Sequence, residues 1–238
     1  MAVETPEIWL SNICRKNNLV LTEKQVHLLR RYVDCLLEWN KKINLISRRD
    51  EDRVWSNHVL HSISLLFKLN LRQDSRIMDL GTGGGLPGIP LKILLPDSQF
   101  LLLDSTRKKT TAVQDMVDQL GLAGIRTMWG RAEELTRDPD LVSHFDYIVA
   151  RAVAPLKELV RWAAPLVRRS DLLDARRPAK LPLVSPPALL AFKGGNLNEE
   201  LSKIRTEPRV LSIDEINLVF EGSEEVSSSD KKIVVVGF

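Results

Sequence analysis

The sequence contains little cysteine and no apolar run of membrane-spanning length. Cys14 and Cys35 are its only cysteines among 238 residues, and neither has metal-ligand spacing around it. A disulfide scaffold is therefore excluded, and we expect reduced, buried thiols within helices of a cytoplasmic protein. Because the N-terminus around Glu4 and Glu7 lacks a signal-peptide pattern, we expect a soluble protein with no membrane partner.

A strong charge of either sign is also missing. The chain has 34 basic and 31 acidic residues, a net charge of +3, which by itself does not indicate a nucleic-acid partner. Basic pairs recur along the chain and would follow a phosphate backbone if they shared a face, although most such pairs are solvated surface. Apolar residues make up 44% of the chain, enough for one α/β domain with a helical extension.

Residues 1–72 predict this helical extension. Thr22 and Gln25 have the spacing of a capping box, followed by apolar residues at helical intervals. A further helix is predicted over residues 53–69. The extension should therefore bury one apolar stripe of each helix against a neighbour.

Two groups of polar residues in this extension are candidate site residues. His58 and His61 lie three residues apart, but no third metal ligand is evident. We therefore expect no metal and assign them a polar, RNA-facing or helix-packing role. Asn40, Lys41 and Asn44 form either a polar helix end or part of a substrate-binding lip.

The most informative stretch is residues 76–90, where an apolar run and an acid are followed by a cluster of glycines. The run predicts the first strand of a parallel sheet. The glycines, beginning at Gly81, allow a sharp exit and a close approach of a ligand to bare backbone. Residues 83–88 also fit Gly-x-Gly-x-x-Gly, a dinucleotide-binding pattern that is weak by itself.

Two carboxylates favour S-adenosylmethionine over NAD as the ligand. Asp79 precedes the glycines, where it would repel a pyrophosphate and attract the cationic amino-acid part of S-adenosylmethionine. Asp104 ends the next apolar run and is placed to accept hydrogen bonds from ribose hydroxyls. This order of acid, glycines and acid is typical of class I methyltransferases. In the alternative interpretation, Asp79 only caps the glycine turn and Asp104 only caps the following helix.

Apolar runs and amphipathic segments alternate after residue 76, which predicts parallel strands with right-handed crossovers. Ala132 and Glu133 follow the third strand at the ligand-binding edge, where they would contact an adenine ring. Arg151 follows the fourth strand and would hold a phosphate or carboxylate, or brace the loop by pairing with an acid.

The C-terminal third predicts the remaining strands. Residues 170–187, rich in Arg, Pro and Lys, predict an exposed, mobile loop. Residues 188–195 predict a fifth strand, and residues 210–220 and 233–236 a closing hairpin. The expected architecture is therefore an α/β fold: a Rossmann-like, mostly parallel seven-stranded sheet with one antiparallel strand, comprising residues 73–238 and preceded by the helical extension.

The sequence from about Trp39 to Gly195 resembles the bacterial small-subunit ribosomal RNA methyltransferase G family, also called glucose-inhibited division protein B. The extended Gly-Leu-Pro-Gly-Ile-Pro stretch is more discriminating than the glycines alone. The specific pieces are Trp39-Asn40-Lys41 with Asn44-Leu45, His58 with Ser62, Asp79 through Pro90, Leu103-Asp104-Ser105, Arg131 with Glu133, Arg151-Ala152, and Lys193-Gly194.

The resemblance implies an S-adenosylmethionine-dependent enzyme that methylates N7 of a guanine in the decoding-region loop of 16S rRNA. By motif position, it implies cofactor contacts at Gly81, Leu86, Asp104, Ala132, Glu133 and Arg151. Together with the pattern above, we also expect contacts from Asp79, Gly83, Gly85 and Ser105. On the substrate side we expect Arg151 and Lys193 as catalytic residues, with a second set across the mouth formed by Asn40, Lys41, Asn44 and His58.

The sequence departs from the family pattern at three places. Gly84 stands where the family commonly has proline, which should loosen the turn without removing it. His61 stands where the family commonly has aspartate, so no catalytic role is assigned to this position. Residues 170–187 replace a shorter glycine turn and are either an added RNA contact or a loop without consequence.

Other classes of protein remain open at this stage. An NAD(P)-dependent oxidoreductase would use the same glycines. A non-catalytic RNA-binding or assembly factor would keep the fold and bind rRNA without transferring a methyl group, and a methyltransferase acting on a small molecule is a nearer alternative. The expected partner is 16S rRNA or the small ribosomal subunit, and the expected state is a cytoplasmic monomer without a metal.

Overall fold

The computed structural model describes residues 4–168, 184–225 and 230–238. Seven strands in these ranges form one sheet. They are β1 (Arg76–Leu80), β2 (Gln99–Asp104), β3 (Ile125–Trp129), β4 (Tyr147–Arg151), β5 (Ala188–Gly194), β6 (Ser212–Asn217) and β7 (Lys231–Gly237). The strand order is β3-β2-β1-β4-β5-β7-β6.

The pairing confirms the predicted α/β topology. Strands β1 to β5 pair in parallel, whereas β7 runs antiparallel to both of its neighbours, β5 and β6. The order reverses beside β1, so the loops after β1 and β4 diverge and leave a crevice at the carboxyl edge. This is the topological switch point at which open α/β sheets bind ligands.

Nine α-helices are described. They are α1 (Pro6–Lys16), α2 (Glu23–Asn40), α3 (His61–Ile63), α4 (Leu65–Lys68), α5 (Gly88–Leu94), α6 (Arg107–Leu120), α7 (Ala132–Leu135), α8 (Leu156–Leu166) and α9 (Asn198–Ile204). Helix α2 begins with the predicted capping box, in which the Thr22 hydroxyl accepts from Gln25 N and the Gln25 side chain accepts from Thr22 N.

Both faces of the sheet are covered. Alternate residues of each strand point to opposite faces, so Ile77 and Met78 of β1 enter different cores. The core containing Ile77 joins the sheet to α2, α5, α6 and the other N-terminal helices, while the core containing Met78 includes α8 and α9. The extension is therefore packed on the sheet, and a domain division after residue 72 stays a prediction.

Some local expectations differ from the structure. The helix predicted over residues 53–69 is a succession of a 3₁₀ helix (Arg48–Arg53), a π-helix (Val54–Leu60) and the short helices α3 and α4. Cys14 is buried as predicted, but Cys35 is only half-buried because it lies at the edge of the apolar stripe of α2. Most of the predicted loop at residues 170–187 lies outside the described residues.

Two kinds of feature are missing from the described part of the chain. None of its helices has the length and apolar character that crossing a bilayer requires. It also contains no cluster of three or more His, Cys, Asp and Glu side chains arranged to hold a metal ion.

Candidate active site

A cavity of about 430 Å³ opens at the carboxyl edge of β1, β2 and β4, beside the switch point. Its volume is in the range of small-molecule sites in proteins. The sequence-predicted residues that it brings together are His58, Gly81, Gly83, Leu86, Asp104, Ser105 and Arg151. The rest of its described lining is Leu45, Ile46, Ser47, Thr82, Gly84, Thr106, Lys109, Ala152 and Val153.

The glycine loop adopts a conformation that side chains would oppose. Gly81 has φ +75°, and a Cβ there would come within 2.5 Å of the Val153 side chain. Gly83 also has positive φ, and its missing Cβ would meet only the Gly81 carbonyl oxygen, at 4.0 Å. A ligand in the cavity can therefore approach the bare main chain at Gly83.

Asp104 anchors the loop from the neighbouring strand. One carboxylate oxygen accepts from Gly83 N at 2.9 Å and the other from Thr106 N at 2.8 Å. A carboxylate offers about four acceptor positions, so these two bonds leave capacity for the hydroxyls of a ribose. The structure thus places Asp104 at the cavity while its side chain also caps the turn before α6.

Asp79 is fully buried beneath the loop, outside the described lining of the cavity. Its Oδ2 accepts from the Thr82 hydroxyl at 2.7 Å and from Gly88 N at 2.9 Å. These are the contacts of the turn-capping interpretation, and a direct contact of Asp79 with a cofactor stays a prediction. Burial raises the pKa of Asp79, and the hydrogen bonds from Thr82 and Gly88 offset part of that rise, so that the resulting pKa is about 6.

Asp79 Oδ1 has no hydrogen-bond partner among the described residues. Buried polar atoms are normally paired, so this oxygen is an available acceptor under the glycine loop. At the cavity itself, the Asp104 carboxylate and the bare backbone at Gly83 form a wall that suits a cationic nucleoside such as S-adenosylmethionine.

Arg151 ends β4 and reaches across to the N-terminal helices. Its Nη2 lies 3.1 Å from His58 Nδ1, and its Nη1 lies 3.4 Å from the Asn57 carbonyl oxygen. A guanidinium stays protonated and only donates, so Nδ1 of His58 is the acceptor and the neutral ring carries its proton on Nε2. The next residue, Ala152, has φ +56°, a left-handed conformation that turns the chain along the cavity wall.

The histidines sit on the helical side of the cavity. Burial, with the charge of Arg151 next, lowers the pKa of His58 to about 4. His58 Nε2 lies 3.7 Å from Asp50 Oδ2, too far for a hydrogen bond. His61 is packed edge to face against Phe192, and burial lowers its pKa well below the usual value. His58 thus lines the cavity, whereas His61 has the helix-packing role.

The polar residues at the end of α2 and just after it lie outside the described lining of the cavity, and one of them, Asn40, shapes the cavity indirectly. Asn40 is buried, and its Oδ1 accepts from Leu45 N and Ile46 N at 2.8 and 3.0 Å. It therefore positions two residues that line the cavity. Lys41 is exposed and pairs with Glu38, while Asn44 lines an adjacent concavity that continues to residue 48.

Four other predicted site residues stand outside the described lining. Gly85 has positive φ within the glycine turn, Ala132 is buried, and Glu133 lies near Arg131 at 3.7 Å. Lys193 Nζ donates to Glu200 Oε2 at 2.8 Å and to the Ala154 carbonyl oxygen at 3.0 Å. These contacts brace the loop that follows Arg151, and a catalytic contact of Lys193 stays a prediction.

Sequence reasoning missed several residues of the cavity wall. Leu45 belonged to a quoted motif but was given no role, and Val153 gave no signal because its place depends on the turn at Ala152. Tyr32 was also missed: its hydroxyl donates to the Gly84 carbonyl oxygen at 2.9 Å and joins α2 to the glycine loop.

Several known structures share the architecture of this chain. The fibrillarin/Nop5p complex aligns with a TM-score of 0.53 at 12% identity, covering 74% of this chain and 80% of that chain. A predicted O-methyltransferase from Agrobacterium tumefaciens aligns with a TM-score of 0.53 at 13% identity, covering 75% and 79%. At these identities the likeness concerns the fold alone.

Sequence relatives are more specific. The family model for rRNA small subunit methyltransferase G matches residues 25–180. Ribosomal RNA small subunit methyltransferase G of Chlorobaculum tepidum is 35% identical over 231 residues, 95% of each chain. The protein of the same name from Porphyromonas gingivalis is 39% identical over 187 residues, 79% of this chain and 78% of the relative. The chain therefore belongs to the ribosomal RNA small subunit methyltransferase G family.

Proposed function

We propose that the protein transfers a methyl group from S-adenosylmethionine to N7 of a guanine in 16S rRNA. The observation that carries the proposal is the glycine-loop cavity at the switch point of a chain whose family is named for methylating small-subunit ribosomal RNA. The guanine and its N7 atom come from the family resemblance. The site of action would then be the cytoplasm, where ribosomal RNA is.

Each wall of the cavity has a part in binding. S-adenosylmethionine, when bound, supplies an electrophilic methyl group on a sulfonium centre. Asp104 would accept hydrogen bonds from the ribose hydroxyls, and the bare backbone at Gly83 would allow the nucleoside to lie against the loop. Arg151, which contacts His58, is a cation at the cavity that would receive the methionine carboxylate or a substrate phosphate. Ala132 and Glu133 remain our candidates for the adenine.

The reaction needs no general base. N7 of neutral guanine carries a lone pair and no hydrogen. This lone pair forms the new N–CH₃ bond while the bond between the methyl carbon and sulfur breaks, and the two electrons of the broken bond stay on sulfur. The purine gains the positive charge and no proton is released. The chain's residues therefore act by alignment and by excluding water. Lys193 remains our second candidate for a contact with the reacting RNA.

The test uses small ribosomal subunits from cells that lack the gene. Subunits incubated with the protein and S-adenosylmethionine are treated with borohydride and aniline, which cleave the strand at N7-methylated guanine, and are then analysed by primer extension. We expect one strand break that depends on the protein. The methyl group of the S-adenosylmethionine carries a label. Labelled RNA without a break would show that an atom other than N7 is methylated, and RNA that takes up no label would refute the proposal.

Two rivals make different predictions. A methyltransferase for small molecules would bind S-adenosylhomocysteine but leave RNA unlabelled. An NAD(P)-dependent oxidoreductase would be stabilised against heat by a dinucleotide and not by S-adenosylhomocysteine. The monomeric state, and the absence of membrane and metal partners, stay predictions that sizing chromatography and elemental analysis can test.

A further inference from the structure

Trp129 exposes its indole at the carboxyl end of β3. With 58% of its surface accessible, it is the one largely exposed Trp, Tyr or Phe side chain in the described ranges. It is also fixed in place, because its Nε1 donates to the Ser105 carbonyl oxygen at 3.1 Å. Ser105 itself lines the cavity, so the indole is attached directly to the cavity rim. An aromatic ring that is fixed in place while most of its surface stays accessible offers an apolar face to a ligand.

A run of three cations lies beside this ring. Arg107, Lys108 and Lys109 form the first turn of α6, and this first turn contains no acidic residue. Cations at a helix N-terminus oppose the helix dipole and cost stability. None of the three has a carboxylate partner among the described residues. The Arg107 guanidinium lies 5.3 Å from the centre of the Trp129 ring, and Lys109 lines the cavity.

We propose that Trp129 and the Arg107–Lys109 run form a docking platform for single-stranded RNA, with an unpaired base stacked on the indole and its phosphate at the cations. Proteins bind unpaired bases by stacking them on aromatic rings beside cationic side chains, which hold the backbone. The proposal rests on the proposed function and adds to it a second contact with RNA, beside the cavity and adjoining it at Lys109.

The surroundings of the ring favour RNA over the cofactor as its ligand. Trp129 borders a separate groove along α6, with Thr110 and Gln114, and is not part of the described lining of the cavity. The far end of this groove carries Asp115 and Asp118. Phosphates would therefore be confined to the cationic end, nearest the cavity, so an RNA strand on the platform would run toward the site of methyl transfer.

The test compares variants that differ in the stacking surface. Trp129→Leu keeps an apolar side chain but removes the aromatic face, and Trp129→Phe keeps a smaller aromatic face. Leu211→Ala is the matched control, because Leu211 is also exposed but precedes β6 at the opposite edge of the sheet. Initial rates of methyl transfer to small ribosomal subunits at saturating S-adenosylmethionine give kcat and KM, and calorimetry gives the affinity for S-adenosylhomocysteine.

We expect Trp129→Leu to raise the KM for the subunit at least about fivefold, the lower limit for loss of one base stack. Trp129→Phe should stay within about twofold of wild type, as should Leu211→Ala. The affinity for S-adenosylhomocysteine should stay the same in all three. Replacing Lys108 with Gln should reduce the slope of log KM against log salt by about 0.7, the value for one contact with a single strand.

Two results would overturn the platform while leaving the proposed function intact. One is an unchanged KM for Trp129→Leu in a preparation whose melting temperature matches wild type. The other is a loss of affinity for S-adenosylhomocysteine without a change in the KM for the subunit, which would make Trp129 a wall of the nucleoside site. A wild-type protein that transfers no methyl group to RNA would instead refute the proposed function, and the platform with it.

Discussion

The two sides of the cavity are built differently. On the glycine-loop side, Asp79 and Asp104 together accept four hydrogen bonds, three of them from main-chain N–H groups. On the helical side, the Nε2 atoms of His58 and His61 are buried without a partner among the described residues. The acids of the first side are held in the turn by these bonds, with Asp79 Oδ1 left without a partner among the described residues, whereas the second side has two such ring nitrogens and the Arg151 cation. We infer that the loop side determines the cavity's shape and the helical side responds to what is bound.

The largest effect should come from the residue that joins the two sides. Arg151→Ala removes the cation that contacts His58 in the cavity wall, and we expect methyl transfer to fall by about 100- to 1,000-fold, as when one donor to a reacting group is lost. Arg161→Ala is the control, because Arg161 is exposed and its one ion pair among the described residues is with Glu158 on α8. Unchanged turnover in a folded Arg151→Ala protein would remove Arg151 from the mechanism.

Replacing Asp79 should mainly lower the stability of the fold, whereas replacing Asp104 should mainly weaken the binding of S-adenosylhomocysteine. Asp79→Ala leaves the Thr82 hydroxyl and Gly88 N buried without an acceptor, so we expect the free energy of unfolding to fall by about 2–4 kcal/mol. Asp104→Ala exposes Gly83 N and Thr106 N to the cavity and its water, so it should cost less stability and weaken S-adenosylhomocysteine binding more. Urea unfolding and calorimetry measure the two quantities. Equal loss of stability in both variants would contradict the distinction.

His58 should act by positioning Arg151. We expect His58→Ala to lower kcat about tenfold, which corresponds to the loss of one hydrogen bond. In His58→Asn the amide oxygen can replace Nδ1 as the acceptor, so kcat should recover to within about threefold of wild type. If the asparagine variant is as slow as the alanine variant, the hydrogen bond to Arg151 is not the reason for the effect.

The smallest effect concerns pH, and its sign differs between the two sides. Asp79 has a pKa raised from 3.8 to about 6, so the folded protein binds the proton more tightly and gains stability as pH falls through 6. His58 has a pKa lowered from 6.5 to about 4, so the unfolded chain binds the proton more tightly and stability is lost as pH falls below 6.5.

Replacing Asp79 isolates the histidine contribution. Between pH 7 and pH 5, Asp79→Asn should lose about 1 kcal/mol more free energy of unfolding than wild type, because the compensating carboxyl no longer takes up a proton. Urea unfolding at both pH values measures the difference. A variant whose stability changes with pH as wild type does would show that Asp79 does not titrate in this range.

The sheet and the glycine loop could be predicted from sequence because their signals are local. Strand β5 spans Ala188–Gly194, close to the predicted residues 188–195, and the antiparallel place of β7 followed from the closing hairpin. The cavity wall was harder, because it depends on contacts between distant segments. Lys193 was expected at the substrate, but its nearest acid, Glu200, comes from a helix whose approach no local pattern describes.

The N-terminal side was the least predictable part. The sequence at residues 54–60 has helical periodicity, but the segment is a π-helix, which has about one more residue per turn than an α-helix. In this helix His58 lies beside Arg151, and the apolar spacing of the sequence does not distinguish the two kinds of helix. Asn40 had two open interpretations, and its bonds to Leu45 and Ile46 depend on a chain reversal after α2.

The hydrogen bond from Tyr32 to the Gly84 carbonyl oxygen ties the order of the nucleoside-binding turn to the docking of α2. Two segments 52 residues apart in the chain are thereby thermodynamically coupled. A ligand that tightens the turn must also hold α2 more firmly against the sheet. Removing the residues that precede Tyr32 would therefore reduce the affinity for the nucleoside, although those residues do not line its cavity.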